Sequence, residues 1–270
     1  MLCELRIKSQ NGSLPATVFL IILSHMTHRG RTGDIIFEFS LPQEAKYALI
    51  LCDGLPSVPK QKELIAFLIS KNIAVFYPRY KGTWESGGTF LAESPARDIA
   101  ELATLIKQGN VTELYSQKTF KLKGPIHALG SSFGGSVALA LADNKDISKI
   151  VALSPIIDFK SHNDNNNEQD LYALKNFIHD AFGFGYRFDE QSWDELLQGK
   201  VFNPPQTIDS ERANDIAVAY GISDTEIDYK KITGYASRNS IRSFSTENIG
   251  HLSFSKIPES LWEKILSFLD

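Results

Sequence analysis

Ser132, Asp224 and His251 are the residues whose types and order could support attack on a carbonyl carbon. A serine hydroxyl is a weak nucleophile until a neighbouring base takes its proton, and that base needs an acid to orient it. Ser132 stands in the pentapeptide Gly130-Ser-Ser-Phe-Gly134. The pattern G-x-S-x-G is common enough by chance that the surrounding elements must decide its meaning. A Gly/Ser-rich turn without chemistry is the alternative.

The elements that flank Ser132 favour a nucleophile. Residues 126–129 form a short apolar run typical of a buried strand, and residues 136–142 form an alanine-rich apolar helix. A sharp turn between strand and helix would lift the serine hydroxyl above the edge of a sheet. Glycine is needed on both sides of the serine because side chains there would collide.

His251 is the predicted base among six histidines. It follows the last predicted strand, in a loop beside Gly250, and comes after the serine and the acid along the chain. His127 lies inside a predicted strand. The other histidines precede the main sheet or belong to the middle of the chain: His25, His28, His162 and His179.

Asp224 is the predicted acid that orients His251. It lies in the loop after the predicted strand at 216–220. Glu226 and Asp228 are close enough in sequence to be rivals, and a solvated acidic turn is the alternative.

Strands and helices alternate along most of the chain, which predicts an α/β fold: a mostly parallel central sheet with helices on both faces. The strands are expected at 35–39, 47–52, 73–77, 126–129, 150–153, 216–220 and 241–244, and the helices at 63–71, 98–107, 136–142 and 261–269. Residues 1–270 are expected to form one domain, with a helical insertion at 156–209. The first 25 residues are peripheral, or contain an early strand at 16–23.

The motifs around Ser132, Asp224 and His251 each follow their expected element, and together they resemble the α/β-hydrolase superfamily from about residue 35 onwards. Within it, the chain looks most like serine esterases and prolyl-oligopeptidase-like or aminopeptidase-like hydrolases. The stretch 77–88 is similar to the loop after their fourth core strand. This resemblance implies a serine hydrolase that works through an acyl-enzyme, with residues 156–209 as its lid.

The resemblance also implies an oxyanion hole made by the backbone N–H groups of Phe133 and Leu55. In the loop that supplies the second of these donors, the family usually carries His-Gly-x, whereas this chain has Asp53-Gly54-Leu55. The change from His to Asp53 keeps the backbone N–H of Leu55 as a donor. It does not predict which contacts hold the loop in place. Four aromatic residues are candidates for lining a substrate pocket, although aromatics at helical spacing also serve as ordinary core: Trp84, Phe177, Phe182 and Trp193.

The expected substrate is a small carboxylic ester, with short peptides as the second possibility. A non-catalytic hydrolase-like binding protein and an acyltransferase are the remaining alternatives. No cofactor and no metal site are expected, because the chain has no ligand cluster at metal spacing and no phosphate-binding loop.

Composition limits the partners and the compartment. The net charge is −4 and no Lys/Arg block stands out, so nucleic-acid binding is not expected. The apolar run at 16–23 is too short to span a bilayer, so no membrane association is expected. The chain has two cysteines, and Cys52 lies in an apolar run, which fits a reducing cytoplasm. The sequence does not predict an oligomeric state.

Overall fold

The computed structural model describes residues 26–162, 164 and 168–270. The predicted strand at 16–23 and the peripheral segment 1–25 lie outside the described residues. None of the helices in the described ranges is long and apolar enough to cross a lipid bilayer.

The described part of the chain contains an eight-stranded central sheet with the strand order β1-β2-β4-β3-β7-β8-β9-β10. The strands are β1 (His28–Thr32), β2 (Ile35–Ser40), β3 (Tyr47–Cys52), β4 (Ile73–Pro78), β7 (Ile126–Ser131), β8 (Lys149–Leu153), β9 (Ile216–Gly221) and β10 (Arg242–Thr246). β1 and β2 run antiparallel to their neighbours, and the other pairs are parallel. A separate hairpin joins β5 (Val111–Thr112) to β6 (Thr119–Phe120). The predicted mostly parallel sheet is confirmed.

The central strands are apolar on both faces because helices cover both faces. Alternate residues of β3 enter different cores: Leu49 and Leu51 join one cluster, and Ile50 and Cys52 join the other. This alternation follows from the two-residue repeat of a strand.

The helices divide between the two faces of the sheet. They are α1 (Lys62–Ser70), α2 (Pro95–Lys107), α3 (Phe133–Leu139), α4 (Leu171–Phe182), α5 (Glu190–Leu197), α6 (Ser210–Ala213), α7 (Tyr229–Asn239) and α8 (Glu259–Leu269). Helices α1 and α8 contribute to the core on one face, which includes Leu68 and Ile265. The core on the other face takes residues from α2, α3 and α7, among them Leu102, Val137 and Tyr235.

The segment between β8 and β9 contains α4, a short 3-10 helix (Gly183–Gly185), α5 and α6. No strand of the central sheet comes from the described part of this segment. Trp193 on α5 is fully buried in the second core, so the segment packs onto the body of the protein.

Three features of the fold differ from the sequence prediction. The helix after Ser132 begins at Phe133, three residues earlier than expected, so it starts directly at the turn. Residues 28–32 form an edge strand that was not predicted; its arginines obscure the apolar alternation, and Gly30 packs under the Phe37 ring. Helix α7 was not predicted, although Asp228 caps its first turn by accepting from Lys230 N.

Arg212 on α6 fixes the loop that leads into β8. Its Nε donates to Ala142 O and its Nη2 to Ile147 O, both at 2.7 Å, and its Nη1 donates to Ser148 O. The Arg212 side chain is 17% exposed, so these carbonyl groups have limited access to replacement water. Carbonyl groups left without a donor in such a place are costly.

We expect Arg212→Gln to lower the free energy of unfolding by about 2–3 kcal/mol, because one amide cannot replace three bonds to a charged donor. Thermal denaturation measures this as a fall of about 4–10 °C in Tm. Arg238→Gln is the matched control, since Arg238 is exposed on α7 and its side chain makes no hydrogen bond or ion pair among the described residues. Equal Tm values for the two variants would contradict a structural role for Arg212.

Candidate active site

Ser132 occupies the turn between β7 and α3 in a strained backbone conformation. Its φ is 55° and its ψ is −124°, a combination that non-glycine residues rarely adopt. The Ser132 N–H donates to Leu153 O of the adjacent strand at 2.7 Å, which holds the turn against β8. The side chain is therefore presented at the carboxyl edge of the parallel strands, where α/β sheets bind their ligands.

The two glycines of the pentapeptide are required by close approach of the backbone. A Cβ atom on Gly130 would overlap the carbonyl oxygen of Gly134. A Cβ atom on Gly134 would overlap the carbonyl oxygens of Cys52 and Asp53. Any side chain at these positions would push apart β3, β7 and α3.

His251 and Asp224 meet at the same edge of the sheet. His251 follows β10, and its Nδ1 lies 3.0 Å from Asp224 Oδ2 and 3.2 Å from Oδ1. Asp224 follows β9, and its side chain is fully buried while that of His251 is 10% exposed. Among Asp224, Glu226 and Asp228, Asp224 is the residue whose carboxylate reaches His251 Nδ1. The carboxylate of Asp228 caps α7.

The environment of Asp224 favours its ionised form. Burial alone would raise the pKa of this carboxyl, but the hydrogen bonds from His251, the Glu226 N–H and Ser154 outweigh burial and leave the pKa below its ordinary value. An ionised Asp224 accepts from Nδ1–H and so leaves Nε2 of a neutral His251 as a proton acceptor.

Ser154 is a site residue that the sequence prediction missed. Its Oγ donates to Asp224 Oδ2 at 2.8 Å and accepts from Leu252 N at 3.1 Å. The residue is completely buried and has a φ of 41°. Ser154 directly follows β8, and parallel strands end at one edge, so its position after a predicted strand was the available signal.

Ser132 is not hydrogen-bonded to His251 in the described structure. Nε2 of His251 instead has Glu226 Oε2 at a distance of 3.7 Å. Hydrogen bonds of this kind are often long before substrate binds and tighten afterwards. The structure thus brings Asp224 and His251 into direct contact. It places Ser132 at the same sheet edge, after a strand that is two positions from the strand before Asp224 and three from the strand before His251.

The loop of residues 53–55 passes directly over Ser132. A Cβ on Gly54 would lie 3.0 Å from Ser131 O and 3.2 Å from Ser132 Cβ. The N–H groups of Leu55 and Phe133 have no hydrogen-bond partner among the described residues. Both residues line the cavity at Ser132.

Asp53 braces this loop with its side chain. Oδ1 accepts from Gly54 N at 3.0 Å, and Oδ2 accepts from the Tyr77 hydroxyl. Tyr80 OH donates to Asp53 O at 3.0 Å, which fixes the backbone as well. Burial raises the pKa of the Asp53 carboxyl above its usual range, although these hydrogen bonds oppose the shift.

A small apolar cavity opens beside Ser132. Its volume is about 10 Å³, which is close to the minimum for one water molecule. It is lined mainly by Leu55, Phe133, Ile156, Phe159, Leu171, Leu174, Trp193 and Leu196, with Gln169 as the polar residue besides Ser132. Four of these residues belong to α4 and α5, so the insertion forms the outer wall.

The four aromatic pocket candidates lie in different places. Trp193 lines the cavity at Ser132. Trp84 and Phe182 pack edge to face, with ring centroids 6.3 Å apart, and are not part of the cavity wall. Phe177 contacts Phe182 and is 55% exposed to solvent.

Comparison with solved structures identifies the architecture. The structure matches an esterase of Pyrococcus furiosus with a TM-score of 0.65 and 18% sequence identity, over 100% of this chain and 97% of that chain. It matches the alpha/beta hydrolase GrgF of a Penicillium species with a TM-score of 0.63 and 16% identity, over 91% and 97% of the two chains. The chain has the α/β-hydrolase fold.

The α/β-hydrolase fold is also shared with Est1E of Butyrivibrio proteoclasticus, solved with ferulic acid bound, at a TM-score of 0.60 and 15% identity over 89% and 98% of the two chains. No protein-family model matches the sequence, and no curated protein matches it either. The structural matches confirm, at the level of the fold, the resemblance seen in the sequence.

Within residues 26–162, 164 and 168–270, no group of three or more His, Cys, Asp or Glu side chains is arranged to hold a metal ion.

We expect Gly134→Ala to destabilise the protein by more than about 3 kcal/mol, because the new methyl group would collide with the backbone of β3. Chemical denaturation measures the loss. Gly234→Ala is the matched control: Gly234 lies in α7, a Cβ there meets nothing closer than 3.4 Å, and alanine favours a helix by about 0.5–1 kcal/mol. A tolerated Gly134→Ala would contradict the close approach at this turn.

Proposed function

We propose that this protein is a serine hydrolase that cleaves small carboxylic esters through an acyl-enzyme. The observation that carries the proposal is the buried Asp224–His251 pair, which lies at the same sheet edge as the strained Ser132. A histidine held by an ionised carboxylate, beside a serine lifted from a strand, is the arrangement that activates a serine hydroxyl.

The reaction follows from these positions. Ser132 Oγ attacks the ester carbonyl carbon while its proton passes to His251 Nε2, and Asp224 stabilises the resulting imidazolium. The N–H groups of Leu55 and Phe133 stabilise the negative charge on the carbonyl oxygen. His251 then protonates the alkoxide, which leaves as an alcohol. Water repeats these steps on the acyl-enzyme, releasing the acid and restoring the Ser132 hydroxyl.

The preference for small esters rests on the cavity at Ser132. Its wall is apolar and its volume is small, which suits a short acyl chain once the wall moves outward. The Pyrococcus furiosus neighbour is an esterase, and Est1E binds ferulic acid, a small carboxylic acid. These neighbours support an ester substrate for this chain.

We further propose that residues 156–209 act as a lid within a single domain. Leu171, Leu174, Trp193 and Leu196 close the cavity beside Ser132, so an acyl group enters when these side chains move. A cytoplasmic location stays a prediction from the cysteine content; Cys52 is a buried free thiol, and Cys3 lies outside the described residues.

We expect Ser132→Ala to lower kcat/KM for p-nitrophenyl butyrate by at least about 1,000-fold, because the covalent route is lost. Steady-state assays measure this, with Tm as a check on folding. The same wild-type protein should hydrolyse a panel of acyl esters faster than aminoacyl p-nitroanilides. Unchanged turnover by Ser132→Ala would refute the nucleophile, and preferential cleavage of the anilides would refute the substrate class.

We expect Asp224→Asn to lower kcat by about 100- to 10,000-fold, because an amide does not stabilise the imidazolium that forms on His251. Asp228→Asn is the matched control four residues further along the chain, and asparagine caps a helix as well as aspartate does. Its kcat should stay within about threefold of the wild type. The reverse order of the two variants would show that Asp224 is not the acid.

A further inference from the structure

Glu226 carries a carboxylate close to the imidazole ring of His251. Its Oε2 is 3.7 Å from His251 Nε2. In the proposed function, Nε2 is the nitrogen that takes the proton from Ser132 and gives it to the leaving group. A charge this close to Nε2 therefore interacts electrostatically with the leaving group more strongly than with the rest of the substrate, because the leaving group takes its proton from Nε2.

The backbone of Glu226 is held on two sides, so the position of its side chain is constrained. Its N–H donates to Asp224 Oδ1 at 2.9 Å, and its carbonyl oxygen accepts from Gln169 N at 2.9 Å. Gln169 itself lines the cavity beside Ser132. Glu226 thus lies between the Asp224–His251 pair and the rim of that cavity.

The Glu226 carboxylate forms no ion pair with a lysine or arginine in the described part of the chain. Its one ion-pair contact there is His251, and a neutral imidazole that donates from Nδ1 to Asp224 has no proton on Nε2 to offer. The nearby Lys231 is engaged by Glu168 and Ser161 O. The Glu226 side chain is 42% exposed, so a group in solvent can reach its carboxylate.

We propose that Glu226 selects esters whose leaving group carries a positive charge, such as an ammonium group. The inference rests on the proposed function and adds the charge of the substrate to it. The cavity beside Ser132 is apolar and small, whereas the Glu226 carboxylate lies beside His251 Nε2 and has no lysine or arginine partner in the described part of the chain. A cationic leaving group gains attraction there and an anionic one is repelled.

The test uses two phenyl acetates that differ in one atom: 3-(trimethylammonio)phenyl acetate and its uncharged isostere 3-tert-butylphenyl acetate. The readout is the ratio of kcat/KM for the cationic ester to kcat/KM for the neutral ester. We expect Glu226→Gln to lower this ratio by roughly twofold to fivefold, the range for one partly exposed charge pair. Taking a ratio removes any general effect of the substitution on His251 or on folding.

Glu247→Gln is the matched control, because Glu247 is an exposed acid on the segment after β10 and its side chain makes no contact with His251. Its ratio should equal the wild-type ratio. In the wild type, the ratio should also fall as NaCl rises from about 0.02 M to about 0.5 M, since salt screens an exposed carboxylate. Glu226→Gln should lose this salt dependence.

An unchanged ratio in Glu226→Gln would overturn the proposal. This holds even if kcat/KM for both esters rises or falls by the same factor, because such a uniform change would mean that Glu226 acts only through the position of His251. A wild-type protein that shows no Ser132-dependent turnover of either acetate would overturn the proposed function, and this inference with it. The two failures are therefore distinct.

Discussion

The backbone of Ser132 is held in a conformation that non-glycine residues avoid, and the contacts that hold it there organise the rest of the site. Strand β7 leads into the turn, α3 leaves it at once, and the Ser132 N–H is bonded to Leu153 O of β8. The turn is possible because Gly130 and Gly134 let β3, β7 and α3 approach within van der Waals contact of each other's backbone. Strain of order 1–3 kcal/mol at Ser132 is offset by this surrounding packing.

The parallel order of β7, β8, β9 and β10 explains how distant residues meet. Because these strands are parallel, the residues that follow them all lie at the same edge of the sheet. Ser154, Asp224 and His251 follow three adjacent strands, and Ser154 Oγ ties the Asp224 carboxylate to the backbone beside His251. The loop over Ser132 is held in the same way by a buried group, because Asp53 accepts from Tyr77 and from its own loop.

Much of this arrangement was predictable because it depends on local pattern. The buried runs at 47–52, 126–129 and 216–220 predicted the central strands, and the strand–turn–helix context predicted the place of Ser132. Asp224 and His251 could be proposed because loops after parallel strands converge. The brace on Asp53 could not, because it depends on a tyrosine hydroxyl that approaches from a neighbouring strand.

Other differences also have physical causes. Strand β1 was missed because it carries two charged arginines at a sheet edge, where apolar alternation is weak. Arg29 forms ion pairs with Glu38 and Glu85, and Arg31 forms one with Asp34. Three of the four aromatic pocket candidates lie away from the cavity at Ser132, because the helical spacing of aromatics does not reveal which face packs inward. The nearness of Glu226 to His251 depends on how two loops meet, which single-sequence patterns do not encode.

The central claim is that the fold makes Ser132, among all serines of the chain, a reactive nucleophile. Labelling of the folded protein with a fluorophosphonate probe, followed by peptide mapping by mass spectrometry, tests this most directly. The account predicts one label per chain, located on Ser132, and none after the protein has been unfolded. A label on a different serine, or no label on the folded protein, would contradict it.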